Sequence, residues 1–264
     1  GMKRRHFLET VGLGMGLVAG ATSPDAFAEP AVAAAPAASS MKLGMVTYNM
    51  GKDMTVVRLI RLCTASGLAG VELRTTHAHG VEVSLSAPER AEVRRKFEDS
   101  GIAIAGLGSA FEFHSNDPDE LEKNIQGAIE YAKLAADVGA PGIKVRPNGV
   151  PAGEDPEITL ERIGKAWGKV AAAAADMGVQ VRMEVHGKEE TRSLPNIRKM
   201  LDYADHPNAL VCWNSNASDM DEKGDIRANF DLVKHAIGLV HITEIGVYQY
   251  PWQQLFTLLK EINY

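Results

Sequence analysis

Gly67, Gly101, Gly139, Gly178 and Gly238 each follow an amphipathic run and precede a β-rich one. That is where a helix places the glycine that ends it. One further helix of the series ends at His206-Pro207-Asn208 instead. The stops recur about every 30 to 39 residues, the length of one strand plus one crossover helix. The strand candidates are residues 42–48, 70–74, 102–107, 142–146, 179–186, 209–214 and 239–244. Between them lie apolar residues at three- and four-residue spacing, as in Leu160, Ile163, Trp167, Val170, Ala174 and Met177. A second such series is Ile226, Phe230, Val233 and Ile237. Ser86 with Glu89 forms a capping box ahead of another helix.

Strand–helix units in series, with no break in composition, predict an α/β fold, a (β/α)8 TIM barrel. The competing arrangement is a doubly wound sheet. No G-x-G-x-x-G follows the first strand, so the usual dinucleotide signature is missing. Seven of the eight units are legible over residues 41–264, and the eighth strand is expected outside the chain. Two Cys in 264 residues cannot staple the fold, and both are expected as free thiols. A formal charge of −6 argues against nucleic acid as a partner.

Residues 1–28 read as an export signal of the twin-arginine type. Arg4-Arg5 precede Phe7-Leu8, a Gly/Ala-rich apolar stretch follows, and Ala26-Phe27-Ala28 is a cleavage-type site. Residues 29–40 read as an Ala/Pro/Ser linker. The expectation is an exported, periplasmic protein without a stable membrane anchor. Homo-oligomer formation is left open.

Parallel strands are buried on both faces and normally read as apolar runs. Here their C-terminal ends are polar: Glu72 and Arg74, Lys144 and Arg146, Arg182, Glu184 and His186, Asn214 and Asn216, His241. Within each strand these residues stand two apart, so they share a face. That face is expected to be the barrel axis, at the end where barrel enzymes carry their sites. A purely structural alternative is a set of internal ion pairs, for example Glu72 with Lys144 or Arg146. His186 fits either a ligand or a partner behind one. His77, His79 and His114 lie in loops at the same mouth, whereas His206 and His235 read as surface residues. Cys63 reads as core. Trp213 and Trp252 could be core or could stack on a ligand. Glu, Asn and His converging on one point make a site for a divalent metal ion, with donors that suit Mn²⁺, Mg²⁺, Co²⁺ or Zn²⁺.

Residues 41–264 resemble the xylose-isomerase-like TIM barrels, the sugar phosphate isomerase/epimerase superfamily. The resemblance rests on Met183-Glu184-Val185, Trp213-Asn214-Ser215-Asn216, Val240-His241-Ile242-Thr243-Glu244, and Tyr250-Pro251-Trp252 running into Leu255-Phe256. It implies that Glu184 is both metal ligand and acid/base, and that His241 is a second ligand. The strand-six ligand is usually Asp in an Asp-Thr-x-His corner. Asn214 takes its place here, and Ala217 stands where the His would be. A second catalytic carboxylate is expected from strand eight.

The implied activity is isomerisation or epimerisation of a keto sugar or related polyol. A proton next to the carbonyl is removed through a metal-stabilised enediolate. Glu184 and Lys144 are the expected catalytic residues. Glu184, Asn214 and His241 are the expected metal ligands. Glu72, Arg146, His186, Asn216, His77 and Trp252 are expected to contact a small carbohydrate substrate. Two alternatives are a lyase or dehydratase acting on a 3-keto sugar or glycoside, and a non-catalytic carbohydrate-binding barrel. An endonuclease IV-like role would need a basic face for DNA, which an acidic chain does not offer.

Overall fold

The computed structural model describes residues 41–246 and 249–264. The segments read as signal and linker lie outside the described residues. Seven strands form one sheet in chain order, each parallel to the next. They are β1 (Gly44–Val46), β2 (Gly70–Arg74), β3 (Ala103–Glu112), β4 (Gly142–Arg146), β5 (Gln180–Glu184), β6 (Ala209–Trp213) and β7 (Ile237–Val240). The helices are α1 (Val56–Ser66), α2 (Ala87–Ser100), α3 (Pro118–Val138), α4 (Pro156–Ala175), α5 (Glu189–Arg192), α6 (Leu194–Ala204), α7 (Arg227–Val233) and α8 (Trp252–Glu261). This is the strand–helix alternation expected of the barrel fold. Among the described residues, no helix is long and apolar enough to cross a membrane.

The core lies between sheet and helices. Leu73, Ile143, Val145, Val181, Met183 and Val211 point outward from the strands, where they meet Leu59, Leu134, Ile163, Trp167 and Met200 from the helices. Trp167 is fully buried, and its indole N–H donates to the Val181 carbonyl at 3.0 Å. The helix stops at Gly67, Gly101 and Gly139 adopt the left-handed backbone that glycine tolerates best. The Ser86–Glu89 capping box is present.

Three boundaries differ from the sequence reading. β3 runs five residues longer than expected, to Glu112, because Gly106 and Gly108 sit inside the strand instead of ending it. The series that ends in Ile237 is not one helix. It breaks after Val233 into a 3-10 turn, and Ile237 opens β7 opposite Val211. Gly238 is therefore a strand residue, not a helix stop. β7 also ends early, so His241 stands one residue past it.

Helix α4 lies unusually close to α6. A Cβ on Gly168 would meet the Ala204 carbonyl oxygen well inside contact distance, and Gly164 faces Tyr203 and the Met200 backbone in the same way. Gly168→Ala should gain about 1 kcal/mol of helix propensity. It should lose more, because overpacking of this kind costs about 1–3 kcal/mol. The expected result is a lower Tm on thermal unfolding. A raised Tm would show that the helices can part cheaply.

Candidate active site

The polar strand ends meet as the alternation rule predicts. Glu72 of β2, Lys144 of β4 and Glu184 of β5 face one another in the interior, all three buried. The Lys144 ammonium lies 3.0 Å from Glu184 Oε2 and 3.8 Å from Glu72 Oε1. His241 enters from the end of β7. Its Nε2 lies 2.6 Å from Glu72 Oε2. Its Nδ1 faces Asn214 Oδ1 at 3.2 Å and Glu184 Oε1 at 3.6 Å.

Strand β3 makes room for this cluster. A Cβ on Gly108 would stand 2.8 Å from Glu72 Oε1. One level deeper, Gly106 and Gly142 border Arg182, whose guanidinium donates to Gln180 Oε1 at 2.9 Å and to the Ala105 carbonyl at 2.7 Å. The interior thus holds two buried carboxylates and two buried cations. Burial pushes the Glu184 carboxyl up, but the His241 hydrogen bond and the Lys144 ammonium outweigh it and hold it at about 2. Burial likewise lowers the Lys144 ammonium, and the two carboxylates more than restore it.

The donors fit a divalent ion. Ligands about 2.1 Å from one ion stand about 3 to 3.5 Å apart. The Nδ1–Oδ1 and Nδ1–Oε1 separations are close to that. Glu72 stands where a carboxylate would orient such a histidine from behind. Among the described residues, no three His, Cys, Asp or Glu side chains are grouped to hold a metal. The third donor is the neutral Asn214 amide.

The other expected site residues are placed differently. Arg146 pairs with Glu112 at 2.7 Å instead of with Glu72. The Asn216 amide donates to the Val185 carbonyl at 2.6 Å and braces the loop. His77 Nδ1 meets the Thr47 hydroxyl at 2.8 Å and ties the loop after β2 to the end of β1. His186 is exposed just past β5. Trp252 is half-buried and stacks on Tyr250 at 4.6 Å between centroids. Trp213 is fully buried and belongs to the core. Cys63 and Cys212 are buried free thiols.

Two residues escaped the sequence reading. Glu112 ends β3 on the side of Arg146. The same strand-end parity would have found it, had β3 been read through its glycines. Asp219 follows β6, fully buried. It accepts from the Asn216 backbone N–H at 2.8 Å and from the Tyr250 hydroxyl at 2.9 Å, and that hydroxyl accepts from the Trp213 indole at 3.0 Å. This chain ties the loop after β6 to the approach of α8. Burial pushes the Asp219 carboxyl up to about 6, and its Oδ1 has no hydrogen-bond partner.

A raised carboxyl costs stability once the pH exceeds its ordinary value near 3.8. Below that value both folded and unfolded chains hold the proton. Between about 4 and about 6 only the folded chain does, so stability falls as pH rises, by at most roughly 3 kcal/mol. Asp219→Asn should remove that loss. Its Tm advantage over the parent should grow from pH 4 to pH 6 and then level off. A constant difference across that range would refute the assignment.

Residues 60–264 match the family model described as xylose isomerase-like TIM barrel. The chain belongs to this family. A 3-keto-D-glucoside 4-epimerase from E. coli is similar in structure, with TM-score 0.70 and 15% identity over 85% of this chain and 89% of that one. So is a D-psicose 3-epimerase with D-tagatose from Clostridium cellulolyticum H10, with TM-score 0.72 and 18% identity over 85% and 82%. The IOLI protein with a bound zinc atom follows at TM-score 0.67 and 15% identity over 84% and 85%. At these identities the likeness concerns the fold. No curated protein sequence matches the chain.

Proposed function

We propose that this xylose isomerase-like barrel is a sugar isomerase or epimerase that removes a proton next to a carbonyl. One observation carries the reading. An ionised Glu184 sits at the mouth end of β5, with one oxygen on the Lys144 ammonium and the other facing the His241–Asn214 donor pair. The epimerases with similar folds support it.

Glu184, Asn214 and His241 would hold a divalent ion. When bound, that ion supplies Lewis-acid polarisation of the substrate carbonyl. The rest falls to the chain. Glu184 accepts the proton from the carbon beside the carbonyl. The C–H electron pair becomes the new C=C bond, and the carbonyl π pair moves onto its oxygen. Negative charge thereby passes from Glu184 to the substrate, beside the Lys144 ammonium that pairs with Glu184. Return of that proton by Glu184 to the former carbonyl carbon, with the neighbouring hydroxyl proton passing to the enediolate oxygen, gives the isomer; epimerisation takes its proton from a second acid on the opposite face. Glu72 keeps the His241 ring in place through the 2.6 Å contact. Glu72 Oε1 is buried beside Gly108, 3.8 Å from the Lys144 ammonium.

The test is a panel of keto sugars in D₂O, with metal content measured on the same protein. Deuterium uptake at the carbon beside the carbonyl supports the reading. No uptake with any of the panel, on metal-loaded protein, defeats it.

We further propose that the protein works outside the cytoplasm, on a substrate without phosphate. Changing Arg4-Arg5 to Lys-Lys should leave the full-length protein inside the cell, as read by fractionation. Unimpaired export would remove the twin-arginine assignment.

A further inference from the structure

We propose that a polar cavity at the barrel mouth, above β3, β4 and β5, is a subsite for a further sugar ring. It would take the glycosidic substituent attached to the sugar that reacts at Glu184, and so rests on the proposed function. The cavity measures about 350 Å³. Pockets that enclose small ligands begin at about this size.

Its lining carries no carboxylate and is mostly polar, with His114, Ser115, Asn116, Asn148 and Lys188 facing the apolar turn 150–152. Amide, hydroxyl and imidazole groups both give and take hydrogen bonds, which is what a hydroxyl-bearing ring requires. A lone lysine is a poor cradle for an anion, which is better held by paired, forked donors.

The place of the cavity relative to the reacting centre follows from the strands. Lys144 belongs to the centre, Arg146 stands two residues above it, and Asn148 two above that. β4 ends at Arg146 and the chain turns at Asn148, so the span is shorter than the about 13 Å of four fully extended residues. The Arg146–Glu112 ion pair lies between the two levels.

The cavity wall is held firmly. Asn148 sits in the left-handed region at φ 58°. Its amide donates to Glu112 Oε2 at 2.6 Å and to His114 Nε2 at 3.4 Å. Its carbonyl accepts from the Lys188 backbone N–H at 2.8 Å and from the Thr191 hydroxyl. A non-glycine residue in this conformation and so fixed suits a binding position. His114 Nε2 lies 3.4 Å from the Asn148 amide, and its Nδ1 faces Glu112 Oε2 at 4.0 Å. The Lys188 stem lies across Gly149, where a Cβ would stand 2.8 Å from Lys188 Cδ. The wall therefore presents a fixed Asn148 backbone and a cation laid along its floor.

The experiment is calorimetric titration with glucose, cellobiose, maltose and trehalose. It uses the metal-loaded protein and two variants at exposed positions, Lys188→Ala and Asn116→Trp, the second chosen to fill the cavity. At least one disaccharide should bind tenfold or more tighter than glucose. Both variants should erase that preference and leave glucose binding as it was. Equal affinities, no binding of any saccharide, or a preference that survives in both variants would overturn the subsite. So would a site that takes inorganic phosphate and no disaccharide. Deuterium uptake into the 3-keto forms of the same sugars separates the two readings. No uptake with the preference intact condemns the catalytic reading alone.

Discussion

Glu184→Gln is expected to lower deuterium exchange into a keto-sugar substrate by about 10²- to 10⁴-fold, the range a general base contributes. Gln is nearly isosteric, and its carbonyl oxygen can still accept from Lys144. The fold should survive, with an unchanged circular dichroism spectrum. The amide cannot take the proton, and it offers an ion a neutral donor where a charged one stood. With Asn214 already neutral, the variant would leave no anion among the three proposed ligands. Metal content should fall with the rate. If metal is lost and excess ion restores the rate, Glu184 is a ligand only. If the rate stays within tenfold of the parent, the assignment of Glu184 as base is wrong.

Lys144→Met carries the largest expected effect on stability. The ammonium neutralises two buried carboxylates, at 3.0 and 3.8 Å. Removing one partner of a buried pair costs about 3–5 kcal/mol, because the charge left behind has lost its water as well. For a domain of this size that lowers Tm by roughly 10 °C. The same change makes the cluster more anionic. A divalent ion should therefore raise the Tm of the variant more than that of the parent, since a ligand stabilises in proportion to its affinity for the folded state. Acid titration checks the sign. The Glu184 carboxyl is held at about 2, below its ordinary 4.5, so its stabilising contribution is fully present above pH 4.5 and fades as the pH falls toward 2. Without Lys144 that acid-side loss should shrink. A Tm unmoved by Lys144→Met would mean that water reaches the pair and screens it.

Much of this was legible from alternation alone. Polar residues two apart on strands that should be apolar picked out Glu72, Lys144 and Glu184, and the structure brings those three together. His241 and Asn214, expected inside strands 239–244 and 209–214, arrive instead from one residue past them. The pattern could not assign partners. Arg146 could have met Glu72, but it pairs with Glu112, which lies past the expected end of β3 at residue 107. Asn216 shares the parity of Asn214, yet a carbonyl across the loop claims its amide. The Asp219–Tyr250 contact joins residues 31 apart with no periodic trace. Such contacts depend on how two loops fold over the sheet, and neither strand nor helix spacing encodes that. The break after Val233 has a similar cause: pairing of Ile237 with β6 overrode a helical spacing that was locally sound.

Gly106 and Gly108 place no side chain in the barrel interior, and their neighbours occupy the space they leave. In a survey of all single substitutions scored by activity, these two positions should behave like reacting residues. Even alanine should be rejected at 108, since its methyl group would press on Glu72. Fold stability alone should not account for the loss. Conversely, a library built to change the reaction would gain more from varying Glu72 or Arg182 together with the glycine beside each than from varying either acid or base alone. The inherited constraint is on the pair of neighbouring strands, and a change of chemistry must cross it in two coupled steps.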